Sequence, residues 1–203
     1  LQSNTNGAEF TTADALSAFN SDGFSITGTG NNYTNRDGRT YVAWNWKAGT
    51  SFTNDASSTG IGTIDSTGSA SDTSGFSIVS YTGTGSAGTI KHGLSSVPKL
   101  IICKNRDTEE NWITYHAPLG AGKFLRLNQT NAETTSSNFW NDTTPTSSVF
   151  SVATGITVNN SGDDIVAYCF AEKKGYSSMG SYIGNGNADG TFVYTGFKPA
   201  LVM

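Results

Sequence analysis

Apolar and polar residues alternate over residues 40–47, putting Val42, Trp44 and Trp46 on one face and Tyr41, Ala43, Asn45 and Lys47 on the other. That period of two is the signature of a strand. The pattern returns over residues 165–171, where Val166, Tyr168 and Phe170 take the matching face. Gly38-Arg39-Thr40 and Gly162-Asp163-Asp164 open the two stretches, each after an Asn-rich turn, so residues 38–47 and 162–171 read as copies of one ribbon. Large rings on a repeated inward face predict an aromatic core for Trp44 and Trp46, with a ligand platform as the alternative. A second echo sets SYTGTG (80–85) against SYIGNG (181–186) and VPKLII (97–102) against KPALVM (198–203). The echoes keep their order but not their spacing. Two copies are too few for a solenoid and predict duplicated ribbons within one domain.

Further strands are predicted at residues 24–27, 75–81, 112–116, 123–128 and 149–152, with a short return at Thr89-Ile90. Residues 100–103 are apolar on both faces, which marks a central, doubly covered strand. Residues 156–158, 179–183, 191–195 and 200–203 complete the strand expectation. One helix is predicted, over residues 11–19, from a capping-box-like Thr11 and Asp14 followed by Leu16 and Phe19. The polar turn at 31–38 ends in Asp37-Gly38, and residues 105–110 form a charged hairpin loop. Two long polar stretches remain. Residues 49–74 read as a displayed loop or a weak hairpin around Gly60 to Gly62; residues 131–148 read as a loop pinned to the scaffold or opened to a partner by Phe139-Trp140.

Composition sharpens this into one fold class. With 24 glycines and 14% charged residues in 203, the connections are tight turns and the surface rests on Ser, Thr and Asn. The expectation is all-β: a single β-sandwich, jelly-roll or concanavalin-like, spanning residues 1–203. A net charge of −4 without a Lys/Arg cluster argues against nucleic-acid binding, and no apolar run approaches bilayer length. The chain lacks an initial Met and stops inside an apolar stretch, which predicts a longer parent. Cys103 and Cys169 each lie in apolar runs, where unpaired buried thiols are expected.

No catalytic constellation emerges from spacing. The carboxylates are scattered; Glu109-Glu110 reads as solvated charge in a turn, and a glycosidase pair would have to be assembled from distant strands. No nucleophile elbow or phosphate loop is present. His92 beside Gly93 is expected to bond backbone. Trp112, Tyr115 and His116 in WITYH, together with Asn138 and Trp140, are the candidate walls of a carbohydrate-binding site. Asn185, Asn187 and Asp189 offer oxygens for a weaker Ca²⁺ alternative, without the glutamate or register of an EF-hand; otherwise no cofactor is expected. Asn128, Asn141 and Asn159 begin glycosylation-type triplets.

The ordered motifs YVAWNWKAG, GFSIVSYTGTGSAGTIKHGLSSVPKLIICKNR, NWITYH, PTSSVFSV, VAYCFAEKKGY, GSYIGNG and DGTFVYTGFKPA resemble a recurrent domain of marine bacteriophage virion appendage and tail-fibre-like proteins. Asn45 departs from a cysteine common at that place, which weakens any disulfide or metal role there. The resemblance implies a non-enzymatic structural protein at the virion surface, with other virion proteins as partners. It also implies a host-surface polysaccharide or protein as target and, as in many such fibres, a homotrimeric parent. The alternatives are a polysaccharide depolymerase of the glycoside hydrolase type and an inert spacer or decoration domain.

Overall fold

The computed structural model describes residues 1–12, 15–28 and 34–203. They fall into two compact units, one of Glu9–Asn45 and one of Leu1–Ala8 with Trp46–Met203.

In the smaller unit, β1 (Leu16–Phe19) and β2 (Phe24–Ile26) form an antiparallel hairpin with Phe19 opposite Phe24. Its turn is closed by Asn20 N–H donating to the Gly23 carbonyl at 2.8 Å. The helix expected over 11–19 is therefore corrected to a strand from Leu16 onward. Two apolar residues make too short a face to hold a helical turn, and the Ser21-Asp22-Gly23 turn offers the segment a partner instead. Asp14 of the capping box, and residues 31–33 of the polar turn, lie outside the described residues. Residues 40–45 have strand-like alternation but no strand pairing, and Val42 and Trp44 are exposed. The aromatic-core expectation thus fails for Trp44.

The larger unit is an all-β, sandwich-like fold. Its elements are β3 (Thr50–Asn54), α1 (Ala56–Thr59), β4 (Ser66–Ser71), β5 (Phe76–Thr82), β6 (Gly88–Lys91), β7 (Leu100–Asn105), β8 (Ile113–His116), β9 (Lys123–Arg126), β10 (Thr134–Thr135), α2 (Ser137–Trp140), β11 (Val149–Val152), α3 (Ile156–Asn159) and β12 (Asp164–Phe170). Eight strands form one antiparallel sheet in the order β10-β9-β8-β7-β12-β5-β4-β3. β12 lies at its middle, paired along its full length with β5 and over six residues with β7.

Alternation gives this sheet an inner and an outer face. Inward go Val79 and Tyr81, Ile101 and Cys103, Ile113 and Tyr115, and Ile165, Ala167 and Cys169, all buried. They meet a second layer built from the β6–β11 pair, α2 and α3, through Ile90, Phe150, Val152, Trp140 and Val158. Each Val, Ile or Phe among them contributes about 1.5–3 kcal/mol on withdrawal from water before entropy is counted, and the smaller Ala167 less. Cys103 and Cys169 are free and buried in this layer, and desolvation raises both thiols, Cys169 to about 12. The Tyr81 hydroxyl donates to the Val158 carbonyl at 2.7 Å, tying the sheet to α3.

Several expectations change here. Of the two readings of residues 49–74, the hairpin around Gly60 to Gly62 holds and the displayed loop does not: β3 and β4 pair across α1 and extend the sheet to its edge. Gly68 and Gly93 make room for the Phe52 ring, since a Cβ would come within 2.9 Å and 2.4 Å of its atoms. β6 leaves β5 and joins β11 in the other layer. Residues 156–158, expected as a strand, form α3, because buried Asn159 donates to the Ser86 and Ala153 carbonyls and accepts from Thr84 N–H, closing the turn there. That burial also removes Asn159 as a glycosylation acceptor. Residues 179–203 contain none of the three expected strands, and Ile183, Phe192 and Val202 stand open to solvent. Their sequence pattern is apolar, yet they lack hydrogen-bonding partners of the kind that hold β5 and β7.

Candidate functional site

The outer face of the large sheet is divided in character. Toward β7, β8 and β12 it carries rings: Trp112 stacks on Tyr168 at 6.3 Å between centroids, and Phe76, Phe170 and Trp46 form a cluster with centroids 4.9–6.1 Å apart. Trp46 is the one residue of the 40–47 stretch that packs as an aromatic anchor. Toward β3, β4 and β5 the same face carries hydroxyls. Thr53 lies opposite Thr67, and Thr67 opposite Ser80, so three hydroxyl side chains cross three strands in one row. Beside this row Thr82 faces Asp164 across the β5–β12 pair.

These residues line a concavity of about 410 Å³, with Asp55 and Asp65 flanking α1 and Arg106 reaching in from the β7–β8 loop. Each carboxylate is oriented locally. Asp55 caps α1, accepting from Ser57 Oγ at 2.7 Å and Ser58 N–H at 3.0 Å; these bonds hold its carboxyl below the usual range. Asp65 accepts from Ala56 N–H at 2.8 Å. Asp164 accepts from the Thr82 hydroxyl at 3.2 Å and lies 4.0 Å from the Arg106 guanidinium. Carboxylates and hydroxyls in one shallow depression can accept and exchange hydrogen bonds with a polyhydroxylated chain. A glycosidase acid needs the opposite perturbation from that of Asp55, a carboxyl raised by burial.

The sites expected from sequence are dispersed. Tyr115 and Trp140 meet edge-on in the core, 5.8 Å apart, while Trp112 lies on the outer face with its indole N–H donating to the carbonyls of Gln2 and Thr5. All three are buried, so none offers a free ring face for a sugar. That is a correction to the proposed cleft wall. Trp140 instead pins the 131–148 stretch from α2. His116 is half-buried, Asn138 is exposed, and nothing gathers them with the rings. His92 is wholly buried; its Nε2 donates to the Thr146 carbonyl at 3.1 Å and its Nδ1 accepts from Leu94 N–H at 3.1 Å, a backbone-bonded histidine as the sequence suggests. Glu110 accepts from the Thr157 hydroxyl at 2.9 Å rather than standing wholly solvated.

In the Asn185–Asp189 turn, the side-chain oxygens of Asn185 and Asn187 accept from the backbone N–H groups of Asn187 and Asp189, bonds that shape the turn itself. Among the described residues no three His, Cys, Asp or Glu side chains gather as a metal site, and no helix is long and apolar enough to cross a membrane. The hydroxyl row escapes sequence reading because Ser and Thr fill loops and strands alike. Its one signal is the alternation in β4, with Thr67, Ser69 and Ser71 on one face and Gly68 and Ala70 on the other.

The chain belongs to a family described as a domain of unknown function (DUF7483), whose profile matches residues 1–203. No curated protein and no solved structure matches it.

Proposed function

We propose that this chain is a structural module of a phage virion appendage that holds a hydroxyl-rich host-surface polymer, a polysaccharide first of all, in the concavity on its outer face. The observation that carries the reading is the row Thr53, Thr67 and Ser80, aligned by the register of three paired strands, beside Asp164 of β12 and Arg106 of the β7–β8 loop. The resemblance of the ordered motifs to those of virion appendage proteins supports the location. The ligand would be held by hydrogen bonds to sugar hydroxyls, with little ring stacking, because the outer-face rings nearest the sheet centre pack on one another.

Calorimetric titration of the whole chain with fragments of host-envelope polysaccharide tests it. Binding weakened about tenfold or more by Asp164→Ala, as loss of a charge-assisted hydrogen bond implies, is the expected result. Absence of binding, or binding indifferent to Asp164→Ala and Thr67→Val, overturns the site. New reducing ends during the titration would move the assignment to a hydrolase.

A further inference from the structure

The two sequence echoes fall on strands that are neighbours in the sheet. Residues 38–47 repeat residues 162–171, which contain β12; residues 181–186 repeat the end of β5 and the turn after it; residues 198–203 repeat the chain entering β7. In the large sheet β12 lies between β5 and β7. The chain therefore carries one assembled set of this three-strand unit and, separately, the sequences of a second set whose parts form no strand pair, with the Ile183 carbonyl taken up by the Thr191 hydroxyl at 2.9 Å. The exposure follows that division. Tyr81 and Ile101 are 4% and 0% exposed, whereas their counterparts Tyr182 and Val202 are 67% and 81% exposed. An apolar strand with open N–H and C=O groups is a template for strand addition.

We propose that copies of this chain associate head to tail by strand addition, residues 41–45 of one molecule inserting between residues 181–183 and 200–203 of another to rebuild the β5–β12–β7 arrangement. The register follows from the assembled set. Ile165 lies opposite Tyr81, Cys169 opposite Ile101 and Phe170 opposite Leu100. Transferred through the echoes, these set Tyr41 opposite Tyr182 and Asn45 opposite Val202 between the two molecules, ahead of Trp46, which stays packed on Phe76 and Phe170 of its own sheet. The contact joins different surfaces of the two partners, so it closes into a ring or a reciprocal dimer or runs on as a chain of copies.

The partner is identified by complementarity of pattern. A β12-type strand has one face of small or apolar residues for the core and one of rings. Among the described residues, 40–45 is the stretch of that sequence without a strand partner, and 181–203 contains the copies of its neighbours, likewise outside any strand pair.

Two variants of the full chain that each add one exposed cysteine to the buried Cys103 and Cys169, Asn45→Cys and Val202→Cys, are mixed under mild oxidation and resolved on a non-reducing gel. The expected result is a crosslinked heterodimer, lost when Leu201→Cys replaces Val202→Cys, because a slip of one residue turns the side chain to the other face and out of disulfide reach. All three positions are exposed, so each variant should fold as the parent does. Light scattering of the unmodified chain provides the second reading, with species above the monomer that disappear when residues 179–203 are removed. A monomer at every concentration with no crosslink, or crosslinking equal for the two cysteine positions, overturns the proposal. Polysaccharide binding has no part in either readout, so failure here leaves the outer-face site standing.

Discussion

In β12 the valine at position 166 is 5% exposed, flanked by Ser80 of β5 and Lys104 of β7; its counterpart Val42, in a stretch of nearly the same pattern, is 80% exposed. The two ribbons share glycine, alternation and rings, and differ in what lies beside them. Strand propensity is a preference for a pleated, half-covered surface, and it produces a strand only when neighbours supply that surface and take up the backbone hydrogen bonds. β12 has a neighbour on both sides, and its inward residues Ile165, Ala167 and Cys169 are sealed by the second layer. Residues 40–45 have neither, so their alternation is a pattern without a structure. The lesson concerns the whole chain: an apolar run in this protein reports what a segment can pair with, and its burial depends on whether the pair is present.

The sharpest way to break this comparison is to place the same charge at the same position of each ribbon. Ala167 is fully buried and Ala43 is exposed. Ala167→Asp sets an unpaired carboxylate in the core and should cost about 4 kcal/mol or more, enough to consume most of a small domain's stability. Ala43→Asp should change it by no more than about 0.5 kcal/mol. Urea midpoints of the two variants, read by intrinsic fluorescence, decide the matter, and equal losses would mean that residues 40–45 are built into a core.

A smaller effect sharpens the second echo. Tyr81→Phe removes the donor to the buried Val158 carbonyl and should destabilise by about 1–3 kcal/mol. Tyr182→Phe touches an exposed ring and should be neutral within about 0.5 kcal/mol. The same unfolding measurement applies, and a large loss at Tyr182 would contradict the exposed placement.

How much could be read from sequence follows the same logic. β5, β7 and β12 were legible because both of their faces carry recognisable residues and both neighbours exist; Leu100, Ile101 and Ile102 announce a central strand without help. Residues 179–183 and 200–203 look equally strand-like, and no pattern in them reveals that a neighbour is missing. α3 was misread because Ile156, Thr157 and Val158 favour strands, while the determinant is the three-way bonding of Asn159 to residues distant in sequence. Leu16 and Phe19 fit one helical turn as well as a hairpin arm, and the Ser21-Asp22-Gly23 turn decided for the hairpin. The candidate site lay deeper. Trp112, Tyr115 and Trp140 attract attention as rings, and rings are what a core takes first. Thr53, Thr67 and Ser80 share a row only through the register of three strands, which a single sequence does not display.

The least disruptive comparison uses the thiol at position 169 and the asparagine that stands in its place at position 45. Thiol reagents consume thiolate, and burial pushes Cys169 up to about 12 and Cys103 further, so neither should react in the folded chain. Asn45→Cys presents a solvent-exposed thiol with an ordinary pKa near about 8.5, about a quarter ionised at pH 8, and should react at the rate of a free cysteine with little change in stability. The unaltered chain should show no fast equivalent and two in denaturant; the variant should show one and three. Fast reaction at Cys169 or Cys103 would dissolve the distinction between the ribbons. The concentration dependence carries more. In dilute solution the introduced thiol should remain open, and as strand addition between molecules proceeds, Asn45 comes to lie opposite Val202 on the inward face that Cys169 occupies in β12. Its reaction rate should then fall with concentration, and should become independent of concentration once residues 179–203 are removed. Protection that grows with concentration would show the second ribbon acquiring from another molecule the neighbours that the first already has.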